Sequence, residues 1–481
     1  MERAISVSQS QNGKIGLIVP TSFLTQVSYA NLRKLILSNY YLQSIIRLPN
    51  ELFGASSGEV KVDTCIVLAY KSVPENHPPT HVMIYDTFER VDFLSTQTAT
   101  TAFEISQQRW TTKEEAIITL TEPQSLNIID RMDSVSTPLE NLCEFCLGLT
   151  PYDKYSGHTK EQIENKVFHA KSQSDSTYRK LLLSGDVQRY IVEWHGEDWI
   201  KYGQWLAAPR EQRFFKQERI LVQQIIDWSS LRMLVGWTDE ELYNTQNQFN
   251  LLALSGTNLK FILAIFNSRL MSFYHRQVFL DVALQRFQKI LIKDAKTLPI
   301  RRINFTTPTD ERDRQLEKAK TPYQSCLNKG RADDILDFVN DHLTANPERA
   351  DIVHDLLAYL AAQMIELNKA KGEEIRGFLR WLEREIGVEI AELQNKTAIQ
   401  SYFDLSVGGL LKILKKNRRS IPIELSNRNF QESLEREFGT SLAKLIPLLT
   451  HIQGTDTLID QVVYQLYGLT DEEIAVVEGK S

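Results

Sequence analysis

The sequence predicts a multidomain chain that begins with an α/β sheet, continues with an α+β region and ends in an all-α region. Three observations support this fold class. Strand and helix signals alternate over residues 1–90, aromatic residues and short strand-like runs fill residues 140–303, and helical periodicity runs from about residue 310 onward. A chain of 481 residues is long enough for about two to four such domains.

The composition is that of a globular protein with no overall bias towards nucleic acid. Apolar residues make up 42% and charged residues 24%, and the net charge is −6, so any DNA-binding surface must rest on local charge. The four cysteines lack the spacing of a disulfide framework, which predicts a cytoplasmic location. Neither a signal-peptide pattern nor an apolar run of about 18 residues is present, so we expect no membrane partner.

The first region is built from four strand or helix signals in close succession. They are GLIVP (16–20), NLRKLILSN (31–39), LQSIIRLP (42–49) and DTCIVLAY (63–70). A continuous apolar run such as GLIVP is typical of a strand in the middle of a sheet. Only a few residues precede it, so we expect at least one neighbouring strand to come from further along the chain or from another polypeptide.

Residues 14–71 resemble the C-terminal part of the class I methyltransferase sheet in N6-adenine DNA methyltransferases. The matching strings are GKIGLIVPTSF, YANLRKLI, QSIIRLP and VDTCIVLAY. The resemblance implies a strand, a helix, a second strand and a reversed third strand, and any other doubly wound fold is the alternative. That family holds S-adenosylmethionine at a glycine-rich turn and the target adenine at an Asn/Asp-Pro-Pro-aromatic loop. Neither motif occurs in this sequence, and we interpret the Pro-Pro of HPPTH (77–81) as a surface loop.

The resemblance therefore implies that a S-adenosylmethionine-binding half lies on an upstream polypeptide. We assign no catalytic, cofactor-binding or metal-binding residue in this chain, and whether the chain alone is an enzyme is left open. In the resembled family an aromatic residue after the fifth strand covers the flipped adenine, and Tyr29 falls on that position. Local packing at a helix start is the alternative for Tyr29, and Phe23 is predicted to be in the core.

The middle region looks like the TaqI-like C-terminal specificity domain, the target-recognition module of type IIG restriction–modification enzymes. The strings that carry this resemblance lie at 148–159, 185–215, 218–225 and 261–275. It implies double-stranded DNA as the partner. The chain departs from the pattern at Gln223, where a basic residue is usual.

Local charge agrees with a DNA partner, since residues 251–302 hold nine Lys and Arg against two Asp. A solvated helix face with a basic tail is the alternative. We expect Arg210 and Arg213 to read bases, and we expect most tryptophans to pack in the core. The predicted DNA contacts are Lys154, Arg189, Lys201, Arg210, Arg213, Arg232, Arg269, Arg286 and Lys289.

The C-terminal region is predicted to be helical. An apolar stripe runs from Leu356 to Leu367, and Thr470 with Glu473 forms a capping box before a final helix. We interpret the basic run KILKKNRRSIP (412–422) as a solvated turn, and contact with the DNA backbone is the alternative. The predicted domains are 1–90 (methyltransferase part), 91–139 (connecting segment), 140–305 (target recognition) and 306–481 (helical).

Two functions follow from these patterns. The first is DNA sequence recognition for adenine-N6 methylation in a restriction–modification enzyme, with this chain as its C-terminal portion. The second is a stand-alone DNA-binding specificity subunit without catalytic activity. The partial sheet at residues 14–71 favours the first, because a specificity subunit has little reason to keep half of a catalytic domain.

Overall fold

A computed structural model describes most of the chain and divides it into two compact units. The described residues are 13–49, 63–71, 78–85, 99–112, 114–196, 198–226, 230–280 and 289–480. The first unit comprises Met1–Ser134, Phe273–Gln288 and Thr470–Ser481, and the second comprises Val135–Ser272 and Lys289–Leu469.

Strands and helices alternate in the N-terminal part. In chain order they are β1 (Lys14–Pro20), α1 (Ser22–Thr25), α2 (Ala30–Asn39), β2 (Tyr40–Arg47), β3 (Thr64–Lys71), β4 (Thr80–Ile84), β5 (Thr101–Ile105), α3 (Gln108–Thr111) and α4 (Pro123–Ser134). The five strands form one sheet in the order β1-β3-β2-β4-β5. The reversed strand that the resemblance implies is present, because β3 is antiparallel to both β1 and β2.

The position of β1 corrects one expectation. The GLIVP run lies at an edge of this sheet rather than in its middle, since β3 is its one partner among the described residues. Its side chains alternate between exposed and half-buried, and Ile18 is 57% exposed. The expectation of a surface loop holds for Pro78 and Pro79, which are exposed, but Thr80 already belongs to β4.

Short strands dominate the middle part. They are β6 (Ser136–Pro138), β7 (Cys143–Leu147), β8 (His169–Ala170), β9 (Tyr178–Leu182), β10 (Tyr190–Ile191), β11 (Trp199–Lys201), β12 (Arg219–Gln223), β13 (Val235–Thr238), β14 (Tyr243–Asn244), β15 (Gln248–Ala253) and β16 (Pro299–Arg301). The helices among them are α5 (Lys160–Glu164), α6 (Arg213–Lys216), α7 (Leu259–Asn267), α8 (Arg269–Phe279) and α9 (Ile292–Lys296). The sheets have the orders β10-β13-β12-β15-β7, β14-β9-β11-β8 and β16-β6.

The remainder of the chain is helical, as predicted. It contains α10 (Thr309–Lys329), α11 (Asp333–Leu343), α12 (Ala350–Ile386), α13 (Lys396–Gln400), α14 (Val407–Lys416), α15 (Arg428–Leu466) and α16 (Asp471–Glu478). The long helices α12 and α15 pack against each other, and the predicted stripe is buried from Leu356 to Met364, while its last member, Leu367, is half-buried. The capping box of Thr470 and Glu473 is confirmed at the start of α16. Of the helices that the structure describes, none is long and apolar enough to span a membrane.

Candidate nucleic-acid interface

Tyr29 lies in a single 3₁₀ turn between α1 and α2, and its side chain is 37% exposed. Its ring meets Phe23 edge to face with centroids 6.3 Å apart, and Phe23 is buried as predicted. The fully buried Arg33 stabilises the backbone before this turn. Its guanidinium donates hydrogen bonds to the carbonyl oxygens of Phe23 (2.9 Å) and Gln26 (2.7 Å). Buried charge needs such partners, so Arg33 fixes the backbone that presents Tyr29.

Three of the predicted DNA contacts are paired with two aspartates of α15 within the second unit, and one of them, Arg269, keeps an exposed side chain. The Arg189 guanidinium donates to Asp456 at 2.8 Å. Arg232 donates to Asp456 at 3.0 Å and to both oxygens of Asp460, and Arg269 donates to Asp460 at 3.1 Å. Arg232 is only 5% exposed. We call these five residues the arginine–aspartate cluster. Its guanidinium groups are committed to carboxylates of the same chain.

The electrostatics of the arginine–aspartate cluster favour a charged Asp456. Burial opposes its ionisation, but the hydrogen bonds and positive charges of Arg189 and Arg232 outweigh that effect and hold the pKa of Asp456 below its ordinary value. The Tyr190 hydroxyl also donates to Asp456, at 3.1 Å. Asp456 therefore accepts from three side chains of the middle region, and it joins that region to α15.

The local excess of basic residues over 251–302 is partly neutralised by ion pairs among the described residues. Several of these side chains find carboxylates that the sequence places far away. Arg301 pairs with Glu348 at 2.7 Å, Lys260 lies 3.7 Å from Glu218, and Lys296 lies 3.9 Å from Glu140. A count of charges along the chain thus overstates the free positive charge at the surface of this segment.

Exposed aromatic rings and neighbouring cations lie on two loops of the middle region, and the half-buried Lys201, the last residue of β11, begins the second loop. Tyr155 is 85% exposed with the Lys154 ammonium 4.6 Å from its ring centroid. Trp205 is 42% exposed with the Lys201 ammonium 5.3 Å from its ring. Arg210 is exposed at the end of the second loop. We call Lys154, Tyr155, Lys201, Trp205 and Arg210 the aromatic–cation surface.

Hydrogen bonds tie the two loops to each other. A ring nitrogen of His158 lies 2.9 Å from the carbonyl oxygen of Trp205, and Thr150 pairs with Ala208 in an isolated bridge. Within the second loop, the Tyr202 hydroxyl donates a hydrogen bond to the carbonyl oxygen of Arg210 at 2.8 Å. Arg210 has a φ of 61°, a conformation that costs a non-glycine residue energy and that is found more often at functional sites.

Trp205 folds over Gly203. A Cβ atom at Gly203 would lie 2.4 Å from the indole ring, so only glycine leaves room for this ring position. The indole Nε1 donates to the carbonyl of Lys201 at 2.9 Å, which orients the ring under the lysine ammonium. The position of Trp205 therefore depends on a residue without a side chain two positions earlier.

The other predicted contacts have different surroundings. Arg213 donates to Glu211 at 2.7 Å and pairs with both carboxylate oxygens of Glu144, and these hydrogen bonds hold the pKa of Glu144 below its ordinary value. Lys289 is exposed, and its backbone pairs with that of Ile225 in an isolated β-bridge. Arg286 lies outside the described residues.

The sequence analysis did not single out Tyr155 or Trp205, because it treated most aromatic residues as core. A usable signal existed: Tyr155 directly follows Lys154, and Trp205 follows the glycine of Lys-Tyr-Gly-Gln-Trp. In the part of the chain that the structure describes, no group of three or more His, Cys, Asp or Glu is placed to hold a metal ion.

Comparison with protein families gives three matches in chain order. Residues 3–120 match the family described as N-6 DNA methylase, residues 180–300 match the TaqI-like C-terminal specificity domain, and residues 350–463 match a domain of unknown function. The chain joins an N-6 DNA methylase segment to a TaqI-like specificity domain. The resemblance to adenine-specific restriction–modification methyltransferases is thereby confirmed.

A protein of Methanocaldococcus jannaschii, named as a type II restriction enzyme and methyltransferase, is 24% identical over 298 residues. That match covers 60% of this chain but only 23% of the relative's length. Among solved structures, this chain is similar to the type IIL restriction–modification enzyme MmeI in complex with DNA. The match covers 74% of this chain and 47% of the MmeI chain, with 11% sequence identity and a TM-score of 0.40. The match to the type IIG restriction endonuclease BpuSI covers 63% of this chain and 41% of the BpuSI chain, with 10% sequence identity and a TM-score of 0.27.

Proposed function

We propose that the chain recognises the DNA sequence for site-specific adenine-N6 methylation, and that it acts together with an upstream half that binds S-adenosylmethionine. The observation that carries this proposal is the aromatic–cation surface, which lies on two hydrogen-bonded loops of the middle region. Lysine and arginine neutralise phosphates and release counterions, while exposed rings can contact bases or sugars. The surface combines both kinds of group on a chain whose net charge is negative.

Within this surface the residues have different roles. Lys154 and Lys201 end in flexible ammonium groups beside exposed rings, which suits phosphate contact without sequence preference. Arg210 is held on a strained backbone, and a planar guanidinium can donate two hydrogen bonds to a guanine edge. We assign base reading to Arg210, and a structural role to Arg189, Arg232 and Arg269 because their guanidinium groups are paired with aspartates.

The upstream half is proposed from the first unit. β1 has an open edge among the described residues, and the sequence contains neither the glycine-rich turn nor the Asn/Asp-Pro-Pro-aromatic loop of the resembled family. The residues present therefore do not fit S-adenosylmethionine, and no step of the reaction is assigned to this chain. Tyr29 is proposed to cover the flipped adenine, because it is partly exposed at the start of α2 on the side where β1 ends.

The experiment compares the wild-type chain with the double variant Lys154→Gln/Lys201→Gln in binding to a pool of random duplexes. We expect the variant to lower affinity for all sequences alike and to reduce the slope of log affinity against log salt by about 0.9 for each lost phosphate contact. The matched control is Lys318→Gln/Lys329→Gln, which removes two exposed lysines of α10. Equal behaviour of the two double variants would reject the aromatic–cation surface as the DNA-binding site.

The catalytic part of the proposal has its own test. The purified chain should neither bind S-adenosylmethionine nor methylate DNA, and methylation should appear when an upstream polypeptide with the glycine turn and the Pro-Pro-aromatic loop is added. Micromolar binding of S-adenosylmethionine by this chain alone, measured by calorimetry, would contradict the proposal that the upstream half binds the cofactor.

A further inference from the structure

A second basic surface lies on the helical region, outside the specificity domain. Residues 412–419 include five lysines and arginines and no acidic residue. They occupy the second half of α14 and the turn that follows it, and all five side chains are exposed. We call Lys412, Lys415, Lys416, Arg418 and Arg419 the α14 basic face.

The helix geometry explains why these lysines share one side. Lys415 and Lys416 follow Lys412 by three and four positions, which places the three ammonium groups on one face of the helix. Leu410 and Leu414 are fully buried on the opposite face, in the core of the helical region. Packing of these two leucines therefore turns the lysines outward.

The five cations differ from most of their neighbours in having no counter-charge. Several basic side chains elsewhere in the helical region are paired, among them Lys320 with Glu317, Arg376 with Glu193, and Lys444 with Glu374. Among the described residues, none of the five side chains of the α14 basic face forms an ion pair. Their mutual repulsion is thus left uncompensated within this part of the protein.

Stabilisation of the helix C-terminus explains only two of the five positive charges of the α14 basic face. Cations in the last turn interact favourably with the partial negative charge of a helix C-terminus, and Lys415 and Lys416 occupy that turn. Lys412 lies a turn earlier, and Arg418 and Arg419 lie beyond the helix. The remaining three charges lie outside that last turn and are exposed, so they are available to an external anion.

We propose that the α14 basic face binds the phosphate backbone of duplex DNA, as a contact independent of sequence that lies outside the specificity domain. This rests on the proposed function, because DNA held at the specificity region is the polyanion the chain meets. Duplex DNA carries a negative charge about every 1.7 Å along its axis, so a row of cations about 5–6 Å apart finds phosphates without a shaped pocket. In the described part of the chain, none of the five side chains is fixed by a hydrogen bond, as reading a base edge requires, so the contribution of this face is to affinity and not to specificity.

The test uses the full-length chain and duplexes of unrelated sequence. Lys415→Gln/Lys416→Gln should weaken binding to every duplex by the same factor and reduce the salt slope by about 0.9 per contact, up to about 1.8. Preference between a selected site and a random duplex should be unchanged. The Arg418→Gln/Arg419→Gln variant, which leaves the helix intact, should show the same behaviour.

The control is again Lys318→Gln/Lys329→Gln, which has the same change in charge, and melting temperatures confirm that all variants fold. Normal DNA binding with an unchanged salt slope in both double variants would overturn this inference and leave the proposed function standing. Absence of DNA binding by the wild-type chain at low salt would overturn both.

Discussion

The Arg232 guanidinium donates to both carboxylate oxygens of Asp460, with N–O distances of 3.1 and 2.9 Å. These residues are 228 positions apart, and both are buried. Two parallel hydrogen bonds of this kind fix orientation as well as distance. The pair therefore sets how the strand that begins at Val235 lies against α15, and it connects the specificity region to the helical region within one unit.

The arginine–aspartate cluster should be important for stability. Asp456→Asn removes the charge that faces Arg189 and Arg232 and leaves two guanidinium groups without their full counter-charge. Breaking a buried pair from one side typically costs about 3–5 kcal/mol, so we expect a large fall in melting temperature of the second unit. Differential scanning fluorimetry would measure it.

Asp310→Asn is the control for that measurement. Asp310 pairs with Arg314 one turn away on α10, and both side chains are well exposed. Exposed pairs contribute about 0–1 kcal/mol, so this variant should melt close to the wild type. Similar melting temperatures for the two variants would show that the arginine–aspartate cluster does not hold the second unit together.

The same aspartate predicts a pH dependence. Its pKa in the folded chain lies below the ordinary value of 3.8, so the unfolded chain takes up the proton first as the pH falls. The stability that ionised Asp456 contributes is therefore fully present when the pH is above the unfolded pKa. It is lost as the pH drops through the lower pKa of the folded chain. The gap in melting temperature between wild type and Asp456→Asn should be constant above about pH 5 and should narrow in acid. A gap that widens in acid would contradict this assignment.

Gly203→Ala should disturb the aromatic–cation surface without unfolding the protein. The new methyl group would overlap the Trp205 ring, which is partly exposed and can rotate away from Lys201. We expect weaker DNA binding in a fluorescence anisotropy assay and an unchanged melting temperature. Gly185→Ala is the matched control, because a Cβ at Gly185 meets nothing within 4 Å. Wild-type affinity in Gly203→Ala would mean that the position of Trp205 is irrelevant to DNA.

Arg210→Ala should act on specificity. If the guanidinium reads a base, its loss should cost roughly 1–3 kcal/mol on the preferred site and little on other sequences. The comparison with Arg213→Ala is informative, because Arg213 is engaged with Glu144 and Glu211 and must leave them before it can reach a base. Selection of binding sites from a random duplex pool would show whether Arg210→Ala loses preference at one position. A uniform loss across all sequences would make Arg210 a phosphate contact instead.

The sequence predicted element types better than it predicted the surroundings of charged side chains. Apolar periodicity identified the helix of Leu356 and Leu360, and residue patterning identified the capping box of Thr470, because both depend on neighbours in the chain. The partners of Arg189 and Arg232 could not be predicted, since Asp456 lies more than 220 residues away. Charge pairing is decided by tertiary contacts, and a single sequence contains no information about which distant carboxylate an arginine meets.

The last prediction concerns the open edge of β1. Thr21 donates to the carbonyl of Asp63 and Lys71 donates to that of Gly13, so the odd-numbered residues of β1 hydrogen-bond to β3. The amides of Gly16 and Ile18 therefore point away from β3. We expect rapid hydrogen exchange at these two amides and protection at Leu17 and Val19 when the chain is alone.

An upstream half that supplies the neighbouring strand should change this pattern selectively. Its addition should protect Gly16 and Ile18 while leaving Leu17 and Val19 as they were, because only the outward-facing amides gain partners. Residue-resolved hydrogen exchange with and without the upstream polypeptide measures the change. Full protection of all four amides in the isolated, monomeric chain would show that the edge is already covered, and the proposal that β1 awaits a strand from an upstream half would then be wrong.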